Sequence, residues 1–320
     1  MLKKIERSRL KAASDPNTTL AGILGRAFVR YRRAWAEAEG GVRPPHPLHL
    51  DVDVTTACNF GCPMCPAGNS GHIFPGFTRG RHLDFNLYRR ALEEGAGFGL
   101  PSIRLGLTGE PLLIQDIPRW VGEARQKGVL DISLITNGRL LSPKVSRELM
   151  DAGLTRLMIS VDAGSEEIYR RVRPGGDWQA LLANIDSFLE IREKLGSALP
   201  LLRVSFVEMS LNQGQRPAFE ERFGPLADYL SFQRYQNILG AAETDFSLPE
   251  AGPVGEQESP EFCSEPFTRL ALHADGGLFP CCSDFGRRKP LGNLAAGGIL
   301  AIWNSAEARF LAGSGAAQAE

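Results

Sequence analysis

The chain has 320 residues, 43% hydrophobic and 23% charged, with a formal net charge of −1. This composition excludes a disordered or fibrous chain, and the near-neutral charge gives no electrostatic case for nucleic acid as a main partner. No apolar run reaches the roughly 18 residues of a membrane-spanning helix, and the first fifteen residues lack the apolar core of a secretory signal. The expectation is therefore a cytoplasmic protein with no membrane partner, folded as one large domain with an appendage.

Residues 1–45 open on a basic helical pattern. Within them Leu24, Phe28, Tyr31 and Trp35 recur at three-to-four spacing, which predicts an amphipathic N-terminal extension. From 46 to 240, strand-like runs at 48–55, 102–108, 131–136, 156–162, 201–209 and 229–235 alternate with helical patterns such as "FNLYRRALEEGA" and "WQALLANIDSFLEIREKLG". Six β/α units in succession predict an α/β fold with a parallel sheet that curls into a partial barrel. Residues 241–262 are rich in Pro, Gly and acidic side chains and read as a linker. Beyond it, "FTRLALHADGGLFPCC" alternates around an Asp-Gly-Gly turn, so 263–320 is read as a small module containing a β-hairpin. His46 and His49 read as structural, and Trp178, Phe188 and Leu189 as packing. Strand alternation turns only half of Arg203, Glu208, Gln233, Arg234 and Tyr235 toward the enclosed space.

Three of the six cysteines, Cys58, Cys62 and Cys65, fall at C-x3-C-x2-C spacing directly after the first predicted strand. Their loop is rich in Gly and Pro and can wrap thiolates around one centre. Soft thiolates favour iron–sulfur clusters, zinc or copper(I). Three ligands leave a tetrahedral zinc or a cubane cluster one ligand short, and an open position suits a site that binds a substrate or cofactor. The bland alternatives are a structural zinc completed by His72, or a "CPMC" redox pair.

The sequence resembles the radical SAM enzymes at these residues, and "CPMCP" resembles the subgroup with a C-terminal SPASM or twitch module. The resemblance implies a partial (β/α)6 barrel whose cysteine loop holds a 4Fe-4S cluster, with S-adenosylmethionine (SAM) chelated to the iron that lacks a thiolate. "LTGEPLL" looks like the family's GGEP segment: Gly109, Glu110 and Pro111 match, and Thr108 replaces the first glycine. By the same resemblance Asn137, Ser160 and Asp162 sit at strand ends that contact SAM, with Arg173 an additional contact. Barrel geometry also favours catalytic groups at the carboxyl ends of parallel strands.

Cys263, Gly276 and Cys281 resemble the opening of a SPASM or twitch module, where they would hold an auxiliary 4Fe-4S cluster. After Cys282 the chain has no further cysteine, so four thiolates are not to be had there. Three outcomes stay open: a cluster on Cys263, Cys281 and Cys282 with an unusual fourth ligand such as Asp284; a catalytic thiol at Cys281 or Cys282 that returns a hydrogen atom to a substrate radical; or inert core cysteines. Adjacent strand residues point to opposite faces, so Cys281 and Cys282 reach one cluster only if the backbone bends.

The resemblance implies an enzyme that takes an electron from a reductant such as flavodoxin or ferredoxin and cleaves SAM to a 5′-deoxyadenosyl radical. That radical would oxidise, epimerise or cross-link a sugar, an aminocyclitol or a peptide in natural-product or peptide modification. A non-catalytic zinc-binding scaffold is the alternative.

Overall fold

The computed structural model describes residues 9–12, 15–65, 77–237, 245–248, 263–284 and 290–309. His72 and the predicted linker, apart from 245–248, lie outside them. All six runs read as strands from their apolar pattern form strands: β2 (His49–Val52), β3 (Ser102–Leu105), β4 (Asp131–Thr136), β5 (Arg156–Ser160), β6 (Leu201–Glu208) and β7 (Tyr229–Arg234). They pair in parallel, each with the next. The connecting helices are α2 (Phe85–Phe98), α3 (Ile117–Gln126), α4 (Pro143–Asp151), α5 (Glu166–Val172), α6 (Trp178–Lys194) and α7 (Arg216–Phe223).

Two features extend the sheet beyond the predicted six strands. Residues expected to be helical instead give β1 (Arg9–Ala12), antiparallel to β7. A strand there satisfies the hydrogen-bonding groups of an otherwise unpaired sheet edge. On the opposite edge β8 (Arg269–Leu272) pairs in parallel with β2, and β9 (Gly277–Phe279) and β10 (Gly292–Asn293) follow antiparallel, giving one ten-stranded sheet.

Pairing register divides the strand residues between two faces. Leu50, Val52, Ile103, Leu105, Ile132, Leu134, Leu157, Ile159, Leu202, Val204 and Phe206 form the core beneath the helices. Their alternates, among them Asp51, Arg104, Ser133, Arg156, Arg203 and Ser205, line the lumen. A parallel sheet covered on both faces is ordinarily apolar on both, so this polar inner face marks a lumen built to hold polar groups.

The lower, amino-terminal end of the lumen is covered by α1 (Pro16–Glu39), capped by Asp15, whose carboxylate accepts from Asn17 N, and kinked at Gly25, where φ is 71°. Phe28, Tyr31 and Trp35 pack with Leu48, Leu201, Tyr229 and Phe267. Leu24, the fourth member of the predicted stripe, is only partly buried. At the other terminus α8 (Glu265–Thr268) leads into β8, and α9 (Ile299–Trp303) packs near α2. The Arg43 guanidinium stacks on Trp303 at 3.9 Å and donates to the carbonyls of Pro266 and Trp303 at 2.8 and 2.6 Å, tying this module to the segment before β2.

Candidate active site

The three cysteines lie in the loop above β2, which is pinned from three sides. Glu110 N donates to Ala57 O at 2.8 Å, Asn137 Nδ2 to Asn59 Oδ1 at 2.8 Å, and Gly61 N to Pro174 O at 2.9 Å. The ends of β3 and β4 and the turn after α5 thus each hold the loop. All six cysteines are free thiols; Cys62 is 5% exposed, and Cys58 and Cys65 are partly exposed. Burial pushes the Cys62 thiol up to about 12 despite Arg173, and its neighbours Cys65 and Cys58 push the same way. A thiol in that setting becomes a thiolate only when a metal takes the proton's place.

The strand ends converge above the sheet. Glu110 is 2% exposed; its Oε1 accepts from Leu112 N at 3.0 Å and Thr136 Oγ1 at 2.7 Å, and its Oε2 from Asn137 N at 2.7 Å. Its carboxylate therefore braces the ends of β3 and β4 against each other. Gly109 lies so close to the cysteine loop that a Cβ there would come within 2.3 Å of both Thr55 O and Ala57 O. Pro111 opens a short 3-10 turn and packs against Gly106. Asn137 Oδ1 accepts from Arg139 N at 3.0 Å, so both ends of its amide are occupied within the protein.

Asp162 follows β5 with φ at 59°, the one positive value outside glycine among the described residues, and is fully buried. Its carboxylate accepts from Arg173 Nη2 and from Val207 N, the latter at 2.8 Å, while Asn212 Nδ2 donates to its carbonyl at 2.9 Å. Arg173 continues to the cysteine loop, with Nη1 3.9 Å from Cys62 Sγ, and its buried Nε has no partner among the described residues. Ser160 is partly buried at the end of β5, on the lumen face with Ser205.

Thr108, where the family pattern has glycine, proves to be tied down. Its N and Oγ1 donate to Asp53 Oδ1 and Oδ2 at 3.1 and 2.8 Å. Burial pushes the Asp53 carboxyl up to about 7 against these donors and Gly109 N. Because an unfolded Asp titrates near 3.8, the folded chain holds a proton that the unfolded chain has lost between about pH 4 and 7. Stability from this group is full below about pH 4 and falls as pH rises through about 7. Asp53→Asn keeps both contacts without a charge, its Oδ1 accepting from Thr108 N and its Nδ2 donating to Thr108 Oγ1, whose hydroxyl turns round. Its thermal midpoint is expected to exceed that of the wild type increasingly from pH 5 to pH 8; parallel curves would contradict the assignment.

The second cysteine group is divided by the backbone. After β9 the chain turns at Cys281–Ser283, with Asp284 N donating to Cys281 O at 3.4 Å, so the two cysteines do not lie on a strand. Burial raises the Cys281 thiol to about 12, and its thiol neighbours are Cys282 and Cys263. Burial also raises Cys282, whose charged neighbours are instead Asp51, Arg104, Glu265 and Arg269. Asp284 is buried at the end of the turn, and Gly276 turns the hairpin with φ at 83°.

A cavity of about 480 Å³ opens at the carboxyl ends of the strands. Met64 of the cysteine loop and Cys282 of the C-terminal module both line it, together with Gly106, Ile135, Val207 and Gln233. Arg104 and Arg269 line it as well, held by Asp51 at 2.6 and 3.4 Å; His49 lies 3.0 Å from the same carboxylate. Burial opposes ionisation of Asp51, but Arg104, His49 and Arg269 together hold its carboxyl well below the usual range. Sequence reading took His49 as structural and passed over Asp51 and Arg104. Period-two alternation in "LHLDVDVT" and "SIRLGLT" already places them on one face.

The donor set fits an iron–sulfur cluster with SAM. Three thiols share one loop, a buried Arg173 Nε lacks an acceptor among the described residues, and Gly109 lets the end of β3 pack directly against that loop. Among the described residues no three His, Cys, Asp or Glu side chains are placed to hold a single metal ion, the arrangement that a zinc site requires. Each thiolate of a four-iron cluster binds its own iron, so such ligands need not converge on one point.

Comparison with known proteins agrees. Residues 52–202 match the radical SAM superfamily, and residues 263–318 match SPASM, described as an iron–sulfur cluster-binding domain. The chain belongs to the radical SAM superfamily, in its SPASM-type subgroup. Its cofactors are 4Fe-4S iron–sulfur chemistry and SAM. A relative from Methanococcus maripaludis named "Probable GTP 3',8-cyclase" is 26% identical over 270 residues, covering 72% of this chain and 83% of its own. Among solved structures, BtrN in complex with AdoMet and 2-DOIA shows 18% identity and a TM-score of 0.54, covering 83% of this chain and 86% of that one. Streptococcus suis SuiB bound to S-adenosylmethionine shows 14% identity and a TM-score of 0.65 over 87% of this chain and 70% of that one. At these identities the two structures speak for the fold alone. No helix among the described residues is long and apolar enough to cross a membrane.

Proposed function

We propose that this chain cleaves SAM reductively and directs the resulting radical at a small polar molecule held in the cavity above the barrel. The observation that carries the reading is that one cavity of about 480 Å³ is walled by Met64 from the cysteine loop and Cys282 from the C-terminal module. That volume lies within the roughly 300–1,000 Å³ of small-ligand sites. When bound, the cluster and SAM supply a 5′-deoxyadenosyl radical able to take hydrogen from an unactivated C–H bond.

The chain's own residues bind, orient and shield. Cys58, Cys62 and Cys65 hold the cluster. Arg173, through its spare Nε, and the Ser160 hydroxyl hold the carboxylate of SAM, while the backbone at Gly109 receives its amino group. The side chains of Glu110, Asn137 and Asp162 act at one remove, since the protein itself fills their hydrogen bonds. Pro111 fixes the turn beside them. Leu107, Ile135 and Val207 give the cavity an apolar wall that keeps water from the reacting C–H bond.

Cys281, with Cys263 beside it, belongs to the auxiliary cluster site, whereas Cys282 faces the substrate. A thiol there gives its hydrogen atom to the substrate radical and is left as a thiyl radical, which a further electron from the external reductant and a proton return to the thiol. This makes epimerisation the favoured outcome over oxidation or cross-linking. The electron comes from a small reductant of the flavodoxin or ferredoxin type. A sugar or aminocyclitol fits the polar cavity better than a peptide; a purine nucleotide is the competing class, because relatives are named as GTP cyclases.

Anaerobic reconstitution followed by dithionite is expected to give brown protein that releases 5′-deoxyadenosine. A colourless protein that leaves SAM intact would refute the reading. With a candidate sugar in deuterated solvent, one deuterium gained without loss of two hydrogens marks epimerisation; the two-hydrogen loss marks oxidation and sinks the role given to Cys282. GTP consumption under the same conditions would transfer the substrate to the nucleotide class.

A further inference from the structure

Arginines of the lumen beneath this cavity are matched by carboxylates, with one exception among the described residues. Arg104 and Arg269 share Asp51, Arg269 also meets Glu265 at 2.8 Å, and Arg156 meets Asp131 at 3.0 Å. Arg203, on β6 between Met158 and Tyr229 in register, meets no carboxylate. Its Nη1 lies 3.5 Å from the thioether of Met158, a weak acceptor, and its buried Nε has no partner. Burial, opposed by Tyr229 and reinforced by the cations Arg104 and Arg156, holds its pKa below the usual arginine value. Even a half-buried cation without a counter-ion is costly to keep.

Arg203 does not itself line the cavity but lies on the same strand face below Val207, which does. On the same face of β6, Ser205 follows it and Val207 lines the cavity. Ser231, in register with Ser205, is fully buried with an unpartnered hydroxyl. These short side chains stand between the cavity and Arg203, which remains partly exposed, while Tyr31, Leu201 and Tyr229 close the lumen below. The planar fork of a guanidinium matches the paired oxygens of a carboxylate or phosphate.

We infer that Arg203, with Ser205 and Ser231, forms the floor of an anion subsite, so that the substrate of the reaction proposed above carries a carboxylate or phosphate group. The inference rests on that reading of the cavity. It also explains why an uncompensated charge persists in an otherwise paired lumen: the substrate's anion supplies the missing partner.

Calorimetric titration of the cluster-replete, SAM-loaded protein with inorganic phosphate and with acetate, at ionic strength fixed by chloride, tests it. Saturable binding of at least one anion is expected, weakened ten-fold or more in Arg203→Met. Tighter phosphate points to a phosphorylated substrate and tighter acetate to a carboxylic acid. Without added anion, Arg203→Met is expected to unfold at a higher temperature than the wild type and to gain nothing from the anion that stabilises the wild type. Absence of saturable binding to the wild type, or equal affinity in the variant, overturns the subsite. Should Arg203→Met not fold, Arg203→Lys, which keeps the charge and loses the fork, is expected to bind the anion several-fold more weakly; unchanged affinity there is equally fatal. SAM cleavage by the wild type, assayed separately, decides the parent reading. Cleavage without anion binding removes only the subsite, and anion binding without cleavage removes the parent.

Discussion

Cys62→Ala is expected to purify with the iron of one cluster missing and to release no 5′-deoxyadenosine above background under dithionite. Cys62 is the most buried thiol of its loop, at 5% exposure, and packs within the main core. As a packing group it amounts to one sulfur atom, worth about 1 kcal/mol on the scale of a buried methylene. The unloaded variant should therefore unfold within a few degrees of unloaded wild type, which separates loss of a ligand from loss of the fold. Since the thiol stays protonated up to about pH 12 in the absence of metal, loading must release its proton, and apparent iron affinity should rise from pH 7 to pH 9. A variant that keeps both the full iron content and SAM cleavage would show that Cys62 is no ligand. Iron remaining in the triple Cys58, Cys62 and Cys65 alanine variant would report the auxiliary cluster.

Asp162→Ala is expected to cost about 3–5 kcal/mol in urea unfolding, the range for removing one partner of a buried ion pair, and to weaken SAM binding as well. Asp162 is fully buried, and its carboxylate serves both Arg173 and Val207 N. Without it the Arg173 guanidinium is left beside Cys62 with no counter-ion. Asp162→Asn keeps an acceptor for Val207 and tolerates the left-handed backbone, so it should lose distinctly less; its own loss from wild type reports mainly the charge, and its difference from Asp162→Ala reports the Val207 hydrogen bond and the backbone. Arg173→Met combined with Asp162→Ala should be destabilised by less than the sum of the two single changes. Strict additivity would show that the pair is not energetically coupled.

Much of this site is visible along the chain. C-x3-C-x2-C after a strand, "TGEP" after the next and "TNG" after the third mark the strand ends without any structure, because each motif is local and each strand carries its own apolar period. What the side chains do there is less legible. Glu110 and Asp162 stand where cofactor contacts are expected, yet their carboxylates are filled by Thr136, Asn137, Arg173 and Val207. Thr108 reads as a departure from a glycine motif until its hydroxyl is seen on Asp53. β1 was read as helical because its pairing partner lies more than two hundred residues away, beyond the reach of any local pattern.

By itself the sequence determined the six-strand order, the three-thiol loop and the hairpin module, since hydrophobic period and cysteine spacing are properties of short segments. Only the assembled sheet decided that Cys282 turns toward Arg104 while Cys281 lies by Cys263. It also decided that Arg173 bridges Asp162 to Cys62, 111 positions away, and that Arg203 is left without a carboxylate among the described residues. These outcomes depend on strand register and on how far the sheet curls, which set the distances between charges remote in the chain, and electrostatic pairing responds to distance rather than to sequence separation.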